Sequence, residues 1–140
     1  MNDLARSPPP GASQLLNRQH ISSRDKWAGT GVTLEQGRRY FFRASGTWRD
    51  AWIHCDANGY NRTFLNLAKR FLRCSTGDAC WFMLIGAIGE STDSFFVIGD
   101  GARWSEGWIA PASGKLSAFA NDINGFYWNN SRSIILEVWQ

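Results

Sequence analysis

From Trp27 onward the chain is written in short apolar or alternating runs separated by turn residues. The runs fall at 31–34, 39–44, 81–88, 94–98, 107–109, 115–120 and 133–139. In the second, Tyr40 and Phe42 fall on one face and Phe41 on the other, as the period of two in a strand requires. Glu35-Gln36-Gly37, Gly99-Asp100-Gly101 and the stretch 111–114 supply turns between runs. Seven or eight short strands at this spacing predict an all-β fold, an antiparallel β-sandwich. One segment breaks the pattern. Phe64, Leu67, Ala68, Phe71 and Leu72 recur at helical spacing, so 64–72 is read as a short helix packed on the sandwich. Thr63 is placed to cap it, and Lys69, Arg70 and Arg73 lie near its C-terminal end, where cations suit the helix dipole.

Residues 1–23 differ from the rest. Ser7-Pro8-Pro9-Pro10-Gly11 is ill suited to a helix interior or a central strand, and the segment reads as a flexible arm ahead of a domain at 24–140. At 140 residues, 44% of them hydrophobic and 19% charged, the chain has room for one folded domain with one core. Eight Trp and nine Phe exceed what so small a core comfortably hides, so one or two Trp are expected at the surface. The net charge of +3 is spread along the chain, without the dense patch or stripe that a nucleic-acid partner needs. Lys69, Arg70 and Arg73 form the densest stretch, which a solvated helix face explains.

No apolar run approaches the roughly 18 residues that span a bilayer, so membrane insertion is not expected. The N-terminus lacks the basic start, apolar stretch and cleavage site of a secretory leader. The expected location is then cytoplasmic, or outside the cell by a route that needs no such signal, unless a leader has been trimmed away. Three cysteines fit either case. All could be thiols in a reducing cytosol; under oxidising conditions the short separation of Cys74 and Cys80 favours a bridge between them and leaves Cys55 free.

The most chemical stretch is 121–131, Asn-Asp-Ile-Asn-Gly-Phe-Tyr-Trp-Asn-Asn-Ser. It sets the carboxylate of Asp122 and the adjacent amides of Asn129 and Asn130 into one loop, with Gly125 letting the chain fold back between them. Hard oxygens on a bent loop suit a calcium ion, which takes about 6–8 of them. With one formal charge from the loop, such an ion would want further oxygens, and a neutral polyol could provide them. The same residue types are also ordinary turn formers.

This loop resembles the calcium loop of the bacterial LecA-type galactose-binding lectins, where an Asn-Asp pair, a turn and Asn-Asn-Ser lie near the end of the domain. Ala44-Ser45-Gly46 followed by Trp48 and Asp50, the short-spaced Cys74 and Cys80, and the run 83–89 resemble the same family in the same order. The resemblance implies a sandwich of the jelly-roll, galactose-binding type, and a calcium ion with galactose-type glycans as ligand. It assigns metal-binding side-chain oxygens to Asp122, Asn129 and Asn130, and main-chain carbonyls to Phe126 and, within about one residue, to Asp50. Asp50 could instead offer its carboxylate. Ile123 takes the apolar position beside the sugar. Two neighbouring hydroxyls of the sugar would complete the metal shell, which joins Asp122 and Asn129 to the ligand. The residues that read the rest of the sugar do not carry over; His54, Asn58 and Asn61 are candidates by composition. Trp128, larger than the residue expected inside the loop, either stacks on the ligand or narrows its pocket. Pockets of this kind are shallow, so useful avidity calls for several sites on one assembly, as in a homo-oligomer.

Catalysis has little support. His54 and Cys55 are adjacent on a strand and point to opposite faces, which makes them a poor base and nucleophile pair. Gly86-Ala87-Ile88-Gly89 lacks the Lys and Ser/Thr of a phosphate loop. Asp56-Ala57-Asn58-Gly59 fails as an EF-hand, since Leu67 stands where the closing Glu belongs, and reads as a surface turn. The expectation is a non-enzymatic, calcium-dependent carbohydrate binder. The alternative is a protein-interaction module that keeps the lectin-like fold without the metal.

Overall fold

The computed structural model describes residues 7–140, and of residues 63–65 the backbone alone. Two antiparallel sheets face each other. One is built from β1 (Leu15–Ser22), β12 (Ser133–Trp139), β3 (Arg39–Ser45) and β9 (Trp108–Ile109), in that spatial order. The other runs β2 (Ala28–Leu34), β10 (Gly114–Ala120), β7 (Trp81–Ile88) and β6 (Asn58–Tyr60), with β8 (Phe96–Val97) also on β7. A third, small sheet sets β4 (Trp48–Asp50) between β5 (Ile53–Cys55) and β11 (Asn130–Ser131). The expected all-β sandwich is the observed architecture.

Alternation along the strands sorts residues between two cores. Tyr40 and Phe42 of β3, Phe82 and Leu84 of β7, Leu116 and Ala118 of β10, and Ile134 and Leu136 of β12 fill the space between the sheets. The intervening residues Met83, Ile85 and Phe119 point to the opposite face and join Cys74, Ala79 and Cys80 in a second cluster. All eight residues of β7 are therefore buried, which is why that strand reads as one continuous apolar run. Asn121 closes the second cluster. Its amide donates to the carbonyls of Cys74 (2.8 Å) and Cys80 (3.0 Å) and accepts from the Cys74 N–H (3.0 Å), fastening the 74–80 loop.

Arg73 belongs to this layer and not to a solvated helix face. Its guanidinium carbon lies 3.6 Å from the Phe119 ring centroid and 4.6 Å from that of Trp27, and it donates to the Tyr127 hydroxyl at 2.8 Å. Arg73 is partly buried, and contacts of this kind with aromatic faces are attractive by about 0.5–2 kcal/mol.

Three expectations change. The flexible arm to Ser23 is the first: β1 pairs β12 from Leu15↔Trp139 to Ser22↔Ser133, and Ile21 and Ser23 are fully buried. The hidden Ile21 side chain alone is worth about 1.5–3 kcal/mol. Its neighbours Asn17, Arg18, Gln19 and His20 are polar because β1 is an edge strand, so no apolar alternation announces it. Ahead of it, Ser13 and Gln14 bond the Gln140 carbonyl and Arg43 bonds that of Ser7, so this stretch also lies on the body. Residues 1–6 of the expected arm are outside the described residues.

The helix is the second. A helical segment is present, Thr63–Phe71, but with 3₁₀ turns and with Arg62 at its N-cap in extended conformation. Leu67 is 88% and Phe71 57% exposed, so these two do not form the expected packed face; the Thr63 cap and Phe64 fall outside the described side chains. Third, the run 94–98 shrinks to the two residues of β8, because Ser94 folds into a 3₁₀ turn whose hydroxyl accepts from the Ile88 N–H. Among the described residues no helix is long and apolar enough to cross a membrane.

Candidate functional site

The loop between β10 and β11 is clamped at each of its turns. Gly125 sits at φ +94°, a conformation that costs glycine least, and the Phe126 N–H closes the bend onto the Ile123 carbonyl at 3.1 Å. Ile123 forms an antiparallel bridge with Leu72 at the end of the 3₁₀ segment. Tyr127 is buried and its hydroxyl donates to the Ala120 carbonyl at 2.7 Å, pinning the 3₁₀ turn Tyr127–Asn129. Burial pushes that phenol up to about 12, with the Arg73 charge opposing the rise, so it remains a neutral donor. Beyond it the Asn129 carbonyl accepts from the Ala51 N–H at 3.1 Å, and Asn130 stands opposite Asp50 in the β11–β4 pair.

These constraints bring Asp122, Asn129, Asn130 and Asp50 to one place. Asp122 is buried; one carboxylate oxygen accepts from the Ile123 N–H at 2.7 Å and the other from the Asn130 amide at 3.1 Å. The same Asn130 nitrogen donates to the Ser23 carbonyl at 2.9 Å. With its NH₂ engaged on both partners the Asn130 amide is fixed, and its Oδ1 is left buried without a donor. Asn129 Oδ1 is likewise buried and unpartnered. Orphaned buried acceptors are rare because each costs about 1–3 kcal/mol. Here two of them, adjacent in sequence, lie on residues next to the Asp122 carboxylate.

The charges deepen that need. Burial pushes the Asp122 carboxyl up to about 6, and the Asp50 charge adds to the rise, while the bonds from Ile123 and Asn130 oppose it. Burial also raises the Asp50 carboxyl, against the hydrogen bond that its Oδ2 accepts from the Tyr60 hydroxyl. Two desolvated carboxylates and two amide oxygens without donors fit a hard cation such as calcium in both charge and ligand type. Among the described residues, no three His, Cys, Asp or Glu side chains converge, so a zinc-type site is not built here.

The remaining candidates fall differently. Phe126 is half exposed at the bend and Ile123 is partly buried beside Asp122. Trp128 is 70% exposed. His54 is not brought to the cluster. It pairs with Arg49 across β4–β5, so it shares the face opposite to Asp50, and it is exposed. Asn58 is occupied with Asp100, donating to its carboxylate at 3.1 Å and accepting from its N–H at 2.9 Å. Asn61 is exposed. The stretch 56–59, read as a surface turn, holds buried Ala57 and runs into β6.

Sequence reasoning missed Ser23, Trp52, Tyr60 and Trp81. Ser23 orients Asn130 from the end of β1, and its own hydroxyl donates to the Ser131 carbonyl at 2.7 Å. Trp52, 78% exposed, lies at the β4–β5 turn just after Ala51, whose N–H bonds the Asn129 carbonyl. The surplus of Trp was the available signal: one or two were expected at the surface, and among the described residues Trp52 and Trp128 are there. Cys55, Cys74 and Cys80 are free thiols. Burial pushes the Cys55 thiol up to about 12, the opposite of what a nucleophile needs.

The architecture is thus a two-sheet antiparallel sandwich with an oxygen-lined loop fastened beside its edge. The chain is similar in fold to a solved structure described as the EclA N-terminal domain, a PllA-like lectin. The TM-score is 0.65 at 20% identity, over 89% of this chain and 96% of that one. No family model matches the chain, and no curated protein does.

Proposed function

We propose that this chain is a calcium-dependent, non-catalytic carbohydrate-binding domain for galactose-type sugars. The observation that carries the reading is the pair of buried, unpartnered oxygens of Asn129 and Asn130 beside the Asp122 carboxylate. The LecA-type resemblance of the loop and the likeness to a PllA-like lectin support it. Asp122, Asn129 and Asn130 would hold the ion by side-chain oxygens, with the main-chain carbonyls of Phe126 and Asp50. Calcium, when bound, supplies attraction for two neighbouring hydroxyls of a sugar. Ile123 offers the apolar wall beside that sugar, and exposed Trp128 a ring to stack on it. His54 is not part of the proposed site.

A glycan array probed with and without calcium tests this. Signal on galactose-terminated glycans in calcium only is the expected result. Silence under both conditions, together with capture of a protein partner indifferent to chelator, would replace it with the protein-interaction reading.

A further inference from the structure

The chain holds two Asn-Gly pairs, Asn58-Gly59 and Asn124-Gly125, and the fold treats them oppositely. An asparagine amide is most open to attack by the next backbone nitrogen when that residue is glycine, which has no side chain to shield the nitrogen and turns freely. Asn58 is tied down. Its amide donates to the Asp100 carboxylate at 3.1 Å and accepts from the Asp100 N–H at 2.9 Å, while the Gly59 N–H donates to the Asp56 carbonyl at 3.1 Å. Gly59 also lies against the Trp81 carbonyl, so close that a Cβ would collide with it.

Asn124-Gly125 is the reverse. Both residues are exposed, and among the described residues neither the Asn124 amide nor the Gly125 N–H has a hydrogen-bond partner. A Cβ on Gly125 would meet nothing within 4 Å. With Gly125 at φ +94° and Asn124 outside the left-handed region, the bend from Ile123 to Phe126 is a type II turn closed by one bond of 3.1 Å. The peptide between Asn124 and Gly125 has no bond of its own in that turn, so its nitrogen is free to rotate toward the Asn124 side chain.

We propose that Asn124 is a site of spontaneous deamidation, which turns an amide of the loop into a carboxylate. The Gly125 nitrogen attacks the Asn124 side-chain carbonyl carbon. A new C–N bond forms as the amide's own C–N bond breaks, and ammonia leaves with the proton of the Gly125 nitrogen. Water then opens the five-membered imide at either carbonyl, giving aspartate by one route and isoaspartate, longer in the main chain by one carbon, by the other. The consequence for metal rests on the reading above. Residue 124 is two residues from both Asp122 and Phe126, so a new carboxylate there adds to the attraction for calcium.

The test is incubation of the folded, full chain at mildly alkaline pH, with peptide mapping by mass spectrometry. Asn124 should lose its amide at least about 10-fold faster than Asn58, because several bonds must open first at Asn58. In urea, where the fold no longer distinguishes the two pairs, both should react at similar rates. Asn124 keeping its amide as long as Asn58 in the folded chain overturns the site. Calorimetry then reads the consequence: Asn124→Asp should bind calcium about 2–5-fold tighter at low salt. Equal or weaker affinity overturns the link between deamidation and metal. Deamidation at Asn124 with no calcium bound by either protein leaves the modification site standing and removes the calcium reading.

Discussion

Asn121 and Asp122 are consecutive and both buried, yet their side chains serve different ends. The Asn121 amide is saturated by the backbone of the 74–80 loop, whereas Asp122 faces two amide oxygens that lack donors. Asn121→Ala should therefore destabilise the fold by about 1–3 kcal/mol, measured by denaturant titration, because it strands buried backbone groups. Asp122→Ala should keep the fold and abolish calcium binding by calorimetry; unchanged affinity would remove Asp122 from the site. A pH effect follows from the same carboxyl. Burial raises it from 3.8 to about 6, so between those values the folded, metal-free protein holds a proton that the unfolded chain has released. Stability without metal should fall as pH rises through that window, and Asp122→Asn should flatten the slope in pH-dependent denaturation. Calcium requires the ionised carboxylate, so its affinity should rise over the same range.

At the scale of elements, β1 is the strand on which both fold and site depend. It closes one edge of a sheet by pairing with β12, buries Ile21, and delivers Ser23 to Asn130. Ile21→Ala should cost about 2–5 kcal/mol in denaturant midpoint analysis. Deletion of 1–23 should prevent folding, where a detached arm would be dispensable; a folded, calcium-binding truncation would contradict this. The strands at 81–88 and 133–139 were legible in the sequence to their last residue, because long strands with buried faces carry a clear apolar record. By contrast β4, β5, β6 and β11 are two or three residues each, too short for any period to register, and they exist through their partners. The placing of His54 illustrates the result. Loop chemistry together with the LecA-type resemblance brought out Asp122, Asn129 and Asn130. Asp50 is set opposite Asn130 by the β11–β4 register and His54 is turned away by the β4–β5 register, neither of which a local pattern encodes.

For the molecule as a whole, the two cores leave the oxygen-lined loop held from several sides: by β1 through Ser23, by the small sheet through Asp50 and Ala51, and by the aromatic layer through Tyr127 and Arg73. A site held this way in the free protein loses little ordering entropy when its ligand arrives. In the proposed function, sugar is bound through calcium. Calorimetric titration of methyl β-galactoside, in calcium and then in excess chelator, measures it most directly. Binding in calcium that vanishes with chelator and returns on restoring the ion is the predicted result; binding indifferent to chelator, or none in either condition, would contradict it.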